Sequence, residues 1–194
     1  MPHPKDFFID ASPTRSSPGL QQREGLEQFQ ASLLARMAAS DNESMRSRRL
    51  AVAMGEHCCL IPLVQAGEIA PLAGMAITPV PATHDWFRGL LNIRGNLIGL
   101  ADLTGLAGAP PQEIGRSSHV LLLAHGLAPQ CGLLVSRVLG LRDITEMTQI
   151  SKNYETEMPL LGVVGRYKDS GEVQWDELDL SLLSQDSRFL QIGR

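Results

Sequence analysis

Apolar positions follow two textures along this chain. Near the start, Leu26, Phe29, Leu33 and Met37 recur at steps of three and four, with Leu34 beside them, which predicts one helix between about residues 20 and 40. Glu24 and Glu27 lie early in that stretch and Arg36 late, an order that suits the helix dipole. Its apolar face has two uses open to it: packing on its own domain, or docking to a partner. Residues 1–19 hold four prolines and several serines with almost no apolar periodicity, and they predict a flexible arm. Asp41 to Ser47 continues as a polar linker.

After Arg48 the texture changes to short β segments punctuated by Gly and Pro. Leu50 to Met54 and Cys58 to Leu63 flank Gly55-Glu56, a spacing that predicts paired strands, and Gly67 to Leu72 predicts a third. The two prolines of Thr78-Pro79-Val80-Pro81 exclude helix and central strand. Asp85-Trp86-Phe87-Arg88 is expected to form one helical turn. Leu90 to Arg94 and Leu97 to Asp102 follow as strands, with Gly95-Asn96 as the two-residue turn between them. Gly108-Ala109-Pro110-Pro111 then separates two halves.

The second half repeats the pattern at His119 to His125, Cys131 to Val135, Val138 to Arg142, Leu161 to Tyr167 and Glu172 to Trp175. Val120 to Ala124 and Gly132 to Val135 are apolar without alternation, as expected of strands buried on both faces. Asp176-Glu177-Leu178 is expected to open a short terminal helix carrying Leu180, Leu182 and Leu183. Five strands, a break and five more predict an all-β fold, and two small barrels suit them better than one long sandwich. Barrel closure would also remove exposed strand edges.

Composition narrows the function. Of 194 residues, 43% are hydrophobic and 20% charged; a net charge of -4 and a pI near 5.7 argue against broad electrostatic binding to nucleic acid. No apolar run approaches the roughly 20 residues that span a bilayer, so no direct membrane insertion is expected. The first residues lack the basic-then-apolar layout of a secretory signal. Cys58, Cys59 and Cys131 cannot all pair, which fits a reducing cytosol. His57-Cys58-Cys59 is a poor metal site, because zinc ligand pairs are usually two to four residues apart and successive strand residues point to opposite faces.

The most informative stretch is Gly89 to Leu103, which sets one Arg between two apolar runs at an Arg-Gly step. A cation there costs free energy unless it is paired or reaches water. Gly89, the Asn92-x-Arg94-Gly95 step and the closing Asp102-Leu103 resemble the signature of the CheW-like coupling proteins of bacterial chemosensory systems. The likeness extends from about Arg48 to Gln185 through Ile61-Pro62-Leu63-Val64, Gly67-Glu68-Ile69, Val80-Pro81 with Trp86, and Gly132 to Val138. Two positions depart from it: Gly99 where the family often has Pro, and Ser136 where it often has Asp, which removes a charge partner for Arg137. The long N-terminal extension is similar to the PilI-type twitching-motility branch.

The resemblance implies an all-β fold of two small five-stranded barrel-like subdomains sharing a core, with an N-terminal helix and short additional helices. It implies an arm and helix over 1–44 and a CheW-like domain over 45–194, with a first barrel at about 45–107 and a second at about 112–185. It further implies a scaffold coupling the cytoplasmic tip of a methyl-accepting chemoreceptor to a CheA-like histidine kinase. Such a protein would have no catalytic residues, cofactor or metal, and would be cytoplasmic and recruited to membrane-associated receptor arrays. Glu68 and Arg94 are the implied partner-binding pair; the other reading open to Arg94 is a tie between two strands. Val64 and Ile69 are candidates for an apolar docking surface or for the core.

Asn92 and Asp102 have side chains suited to accept bonds from turn donors, and Gly89 and Gly95 answer a backbone need. Two other classes compete. A small hydrolase needs a nucleophile and base at a workable spacing, and none is present. A small-barrel nucleic-acid binder needs basic strands with exposed aromatics, whereas aromatics are 5% here.

Overall fold

The computed structural model describes residues 45–128, 130–151 and 160–194. The arm and helix expected within 1–44 lie outside the described residues. Eleven strands among the described residues form two sheets. The six-stranded sheet runs β8-β1-β2-β11-β10-β9, from β1 (Arg48–Met54), β2 (His57–Pro62), β8 (Arg137–Asp143), β9 (Thr148–Ser151), β10 (Val163–Lys168) and β11 (Gln174–Leu178). The five-stranded sheet runs β3-β6-β7-β5-β4, from β3 (Ala66–Pro71), β4 (Phe87–Ile93), β5 (Asn96–Ala101), β6 (His119–Leu123) and β7 (Cys131–Val135). Most neighbours are antiparallel; β11 with β2 and β7 with β5 are parallel. Among the described residues the strands are accompanied by the short helices α1 (Leu103–Leu106), α2 (Leu180–Gln185) and α3 (Ser187–Leu190).

Each sheet draws strands from both halves of the chain, where the sequence had suggested one subdomain per half. Neither sheet is a closed barrel: no ladder joins β3 to β4 or β8 to β9. The edges are instead bridged by other means. Glu68 on β3 meets Arg94 beside the end of β4, Thr78 exchanges two backbone bonds of 2.8 Å with Leu90 on the outer side of β4, and a 3₁₀ turn at Ile144–Glu146 links β8 to β9.

The unbroken apolar strands follow from burial on both faces. Leu121, Leu123, Leu133 and Val135 enter a core that also takes Val52, Met54, Ile61, Leu178 and Leu180, so it is shared by both sheets. Their neighbours Val120 and Leu134 point the other way, joining Leu91, Ile93, Ile98 and Leu100 inside the curl of the five-stranded sheet. On the six-stranded side, Cys59 and Ile61 face the shared core while Leu60 joins Ala51 and Trp175 in a separate cluster. Period-two alternation is present, but both phases are apolar.

Three local expectations differ. The β4–β5 turn is Arg94-Gly95, one residue earlier than Gly95-Asn96, because Ile93 pairs with Asn96. Phe87 and Arg88 begin β4 and do not form a helical turn; Trp86 is buried against Phe189, their rings 6.0 Å apart. Asp176, Glu177 and Leu178 belong to β11, and the helix starts only after Asp179, whose side chain caps Ser181 and Leu182. Long-range ion pairs hold those acids in the sheet. Arg49 Nε is 2.7 Å from Glu177 Oε1 and Arg166 Nε 2.9 Å from Asp176 Oδ1. No described helix is long and apolar enough to cross a membrane.

Candidate functional site

A two-residue hairpin loop matches the right-handed twist of its strands when both residues have positive φ. Arg94 and Gly95 do, at 51° and 87°. The Asn92 side chain holds the loop, its Oδ1 accepting from the Gly95 N–H at 2.8 Å. Asn92 and Gly95 thus sit in the structural places expected of them. Gly89 has φ of 122°, and a Cβ there would lie 2.3 Å from the Thr78 carbonyl oxygen, so glycine is what lets the 78–79 segment close on β4.

Arg94 and Glu68 are brought together, Nη2 to Oε1 at 3.0 Å, across the gap between the two edges of the five-stranded sheet. The Arg94 side chain is 78% exposed and that of Glu68 36%. Such an exposed pair contributes about 0.2–1 kcal/mol, whereas left-handed backbone at a non-glycine residue costs about 1–2 kcal/mol. The arginine therefore does not repay its conformation in stability. The turn leaves the guanidinium in solvent with one edge against the Glu68 carboxylate.

The apolar candidates separate. Val64 is 73% exposed at the β2–β3 turn, while Ile69 is half-buried against the shared core. Leu97, opposite Asn92 in the ladder, is exposed and was not anticipated. Behind the ion pair lies a cleft of about 290 Å³, floored by Ile93, Ile98, Leu122 and Leu123, with His125 and Gln130 among its lining.

Asp102 is fully buried and caps α1. Its Oδ1 accepts from the Thr104 N–H (3.1 Å), the Thr104 hydroxyl (2.8 Å), the Gly105 N–H (3.2 Å) and Gln112 Nε2 (2.6 Å). Its Oδ2 accepts from the Gln112 N–H (2.8 Å) and Arg88 Nη1 (3.3 Å). Burial by itself would push this carboxyl up, but the bonds from Gln112, Thr104 and Gly105 outweigh it and hold the group below the usual carboxylate range. Arg88 and Gln112 escaped the sequence reading, since no local pattern marks a glutamine after Pro110-Pro111. The Asp-Leu-Thr-Gly run could have revealed the cap.

The two departures from the motif take on definite roles. The Gly99 N–H donates to the Gln130 carbonyl at 2.9 Å, a bond proline lacks. Ser136, expected to alter an outer surface, is half-buried, and its hydroxyl donates to Gln112 Oε1 at 2.7 Å.

The three cysteines are free thiols. Burial raises the pKa of Cys59 strongly and that of Cys58 in the same direction, and pushes Cys131 up to about 12. Cys58 and Cys59 face different clusters, and no three His, Cys, Asp or Glu side chains among the described residues converge as metal ligands.

The family described as the CheW-like domain matches residues 49–184. The chain is similar to Protein PilI of Pseudomonas aeruginosa, 30% identical over 89 residues, covering 46% of this chain and 48% of that protein. It is also similar to the chemotaxis protein CheW of Thermotoga maritima, 33% identical over 82 residues, covering 40% of this chain and 53% of that one. The matched stretches thus span about half the length of these curated relatives. In structure it resembles the scaffolding protein TtCheW of Thermoanaerobacter tengcongensis, with a TM-score of 0.57 at 18% identity over 70% of this chain and 85% of that one; this likeness shows the fold.

Proposed function

The chain belongs to the CheW-like domain family, and from that membership we infer that it is a non-catalytic adaptor joining a CheA-like histidine kinase to the cytoplasmic tip of a methyl-accepting chemoreceptor. The observation that carries this reading to a place on the molecule is the Glu68–Arg94 pair. It is exposed, preorganised, and set on a turn whose strain the pair does not repay. Exposed Val64 offers an apolar contact from the β2–β3 turn, just before the strand that carries Glu68; Ile69 acts from beneath, as support. Coupling needs two faces rather than a reaction. Holding two partners on one body raises the effective concentration of each for the other.

The adaptor would work in the cytoplasm, recruited to membrane-associated receptor arrays, without cofactor or metal. Similarity to PilI supports type IV pilus twitching as the output.

The test is reconstitution. Purified full chain is mixed with a CheA-like kinase and a receptor cytoplasmic fragment from the same bacterium, singly and together, and the complexes are sized by sedimentation. Binding to each partner and a ternary species are expected. A folded chain that binds neither, or that binds single-stranded nucleic acid instead, would overturn the adaptor reading. Deleting the gene should abolish twitching; loss of swimming alone would assign the output elsewhere.

A further inference from the structure

Gln112 is 8% exposed and lies in the irregular segment after Pro110-Pro111, yet it makes more cross-links than any strand residue near it. Its Nε2 and backbone N–H donate to the two oxygens of Asp102, at 2.6 and 2.8 Å. Its backbone carbonyl accepts from Arg88 Nη1 at 2.7 Å. Those partners belong to β4 and to the end of β5, in the five-stranded sheet. On the other side, its Oε1 accepts from the Gly55 N–H and the Ser136 hydroxyl, both at 2.7 Å. Gly55 is in the β1–β2 turn of the six-stranded sheet. Ser136 is the single residue between β7 of one sheet and β8 of the other, and its N–H is bonded to the Ala53 carbonyl at 2.8 Å. One side chain therefore ties both sheets at one of the two places where the chain crosses between them, the other being the β2–β3 turn, where the Gln65 side chain bonds to Asp179, Leu180 and Ser181.

We propose that Gln112 is a positioning residue that fixes the angle between the two sheets, and with it the separation of the surfaces that two partners would occupy. The second clause rests on the adaptor reading; the first does not. The core shared by the sheets is apolar, and burial of apolar surface is non-directional, so the hydrogen bonds add an angular preference that burial itself does not supply. Hydrogen bonds lose strength steeply with angle and distance. A satisfied buried polar network adds little net stability over an apolar replacement of the same shape, but it does select one geometry. An adaptor holding two partners is sensitive to that geometry, because effective concentration collapses when its faces no longer fit the assembly.

The experiment compares the wild-type full chain with Gln112→Met, which fills the space without side-chain hydrogen bonds, and with Ser136→Ala, which removes the hydroxyl that donates to Gln112 Oε1 at 2.7 Å and accepts from the Gly55 N–H at 3.0 Å. Spin labels carried by non-natural amino acids at exposed Leu97 on β5 and Leu141 on β8 report the inter-sheet distance. Binding is measured on unlabelled protein. The distance distribution should broaden about twofold in Gln112→Met and less in Ser136→Ala. Affinity for kinase or receptor alone should change less than about twofold, while ternary assembly weakens by at least roughly tenfold. An unchanged distribution in both folded variants overturns the proposal, because the apolar core and the remaining links between the sheets would then set the angle without Gln112. A broadened distribution with ternary assembly intact overturns its functional half. If the wild type binds neither partner, the adaptor reading fails, and the distance measurement still decides the role of Gln112. Should Gln112→Met not fold, Ser136→Ala decides it alone by the same criterion.

Discussion

Asp102→Asn is the sharpest test of the buried network, because it changes one atom and no volume. The carboxylate accepts four bonds on Oδ1 and two on Oδ2. An asparagine can keep its carbonyl toward the four donors, but its amide must then face the Gln112 N–H and Arg88 Nη1. The Gln112 N–H is left unpaired at a cost of roughly 1–3 kcal/mol, while Arg88 Nη1 keeps its bond to the Gln112 carbonyl but loses its charge partner; breaking a buried charge pair costs about 3–5 kcal/mol in an overlapping account of the same loss. The expected loss is therefore about 3–5 kcal/mol, a large part of the ~5–15 kcal/mol that stabilises a typical domain. At about 2–4 °C per kcal/mol it lowers Tm by roughly 6–20 °C.

Urea unfolding and thermal melts at pH 7 measure the loss, and a pH series gives a second check. The folded-state pKa of Asp102 is depressed, so its contribution is complete above the unfolded value of about 3.9 and disappears as pH falls through the lower folded value. The gap between wild type and variant should stay constant from pH 8 to about 5 and shrink only below about 4. A variant within about 1 kcal/mol of wild type at pH 7, or a gap that closes between pH 8 and 6, would refute the reasoning.

Arg94→Ala and Glu68→Ala should each cost less than about 1 kcal/mol, within about 4 °C of Tm, because the pair is exposed. Each should weaken kinase or receptor binding about tenfold or more, with a double change no worse than additive and Arg94→Lys also impaired; a large melting shift with normal binding by the folded fraction would make Arg94 a strand tie. Gly89→Ala should destabilise by at least about 1–3 kcal/mol in urea, since it combines positive φ with a clash on the Thr78 carbonyl. Gly74→Ala, at φ +81° with open space around it, should cost less. Buried Cys59 should resist a thiol reagent at pH 8 until the protein is unfolded, half-buried Cys131 with its raised pKa should react more slowly than a free thiol, and Cys58→Ala with Cys59→Ala should leave partner binding unchanged apart from stability.

Strand positions were legible where apolar runs ended near Gly or Pro, as at β1, β2 and β3, or were unbroken, as at β6 and β7. The β4–β5 turn was misplaced by one residue because Gly-Asn suits such a loop better than Arg-Gly. The ladder registers Ile93 against Asn96 and forces positive φ on an arginine. Asp176-Glu177-Leu178 has the composition of a helix start, and it is backbone pairing with β10 and β2, with ion pairs to Arg49 and Arg166, that makes it a strand. The short strand β9 carried no apolar run to announce it. The Glu68–Arg94 contact was legible through family likeness, since no spacing rule joins residues on opposite edges of a sheet. The Gln112 cross-links were not legible at all, because their partners come from four separate segments.

The interleaving of strands bears on how the protein comes off the ribosome. β11 is inserted between β2 and β10, in the middle of the six-stranded sheet, so β2 waits for a neighbour that is synthesised more than a hundred residues later. β5 likewise waits for β7. Neither half of the nascent chain can complete a sheet alone, and β2 keeps an unpaired edge until residue 178 has emerged. Long-range and parallel pairing of this kind is slow and leaves aggregation-prone edges exposed meanwhile. The same topology makes the Gly108–Pro111 segment a natural place to divide the polypeptide. The two fragments should each be unfolded in isolation and should acquire structure when mixed, in the manner of a split reporter.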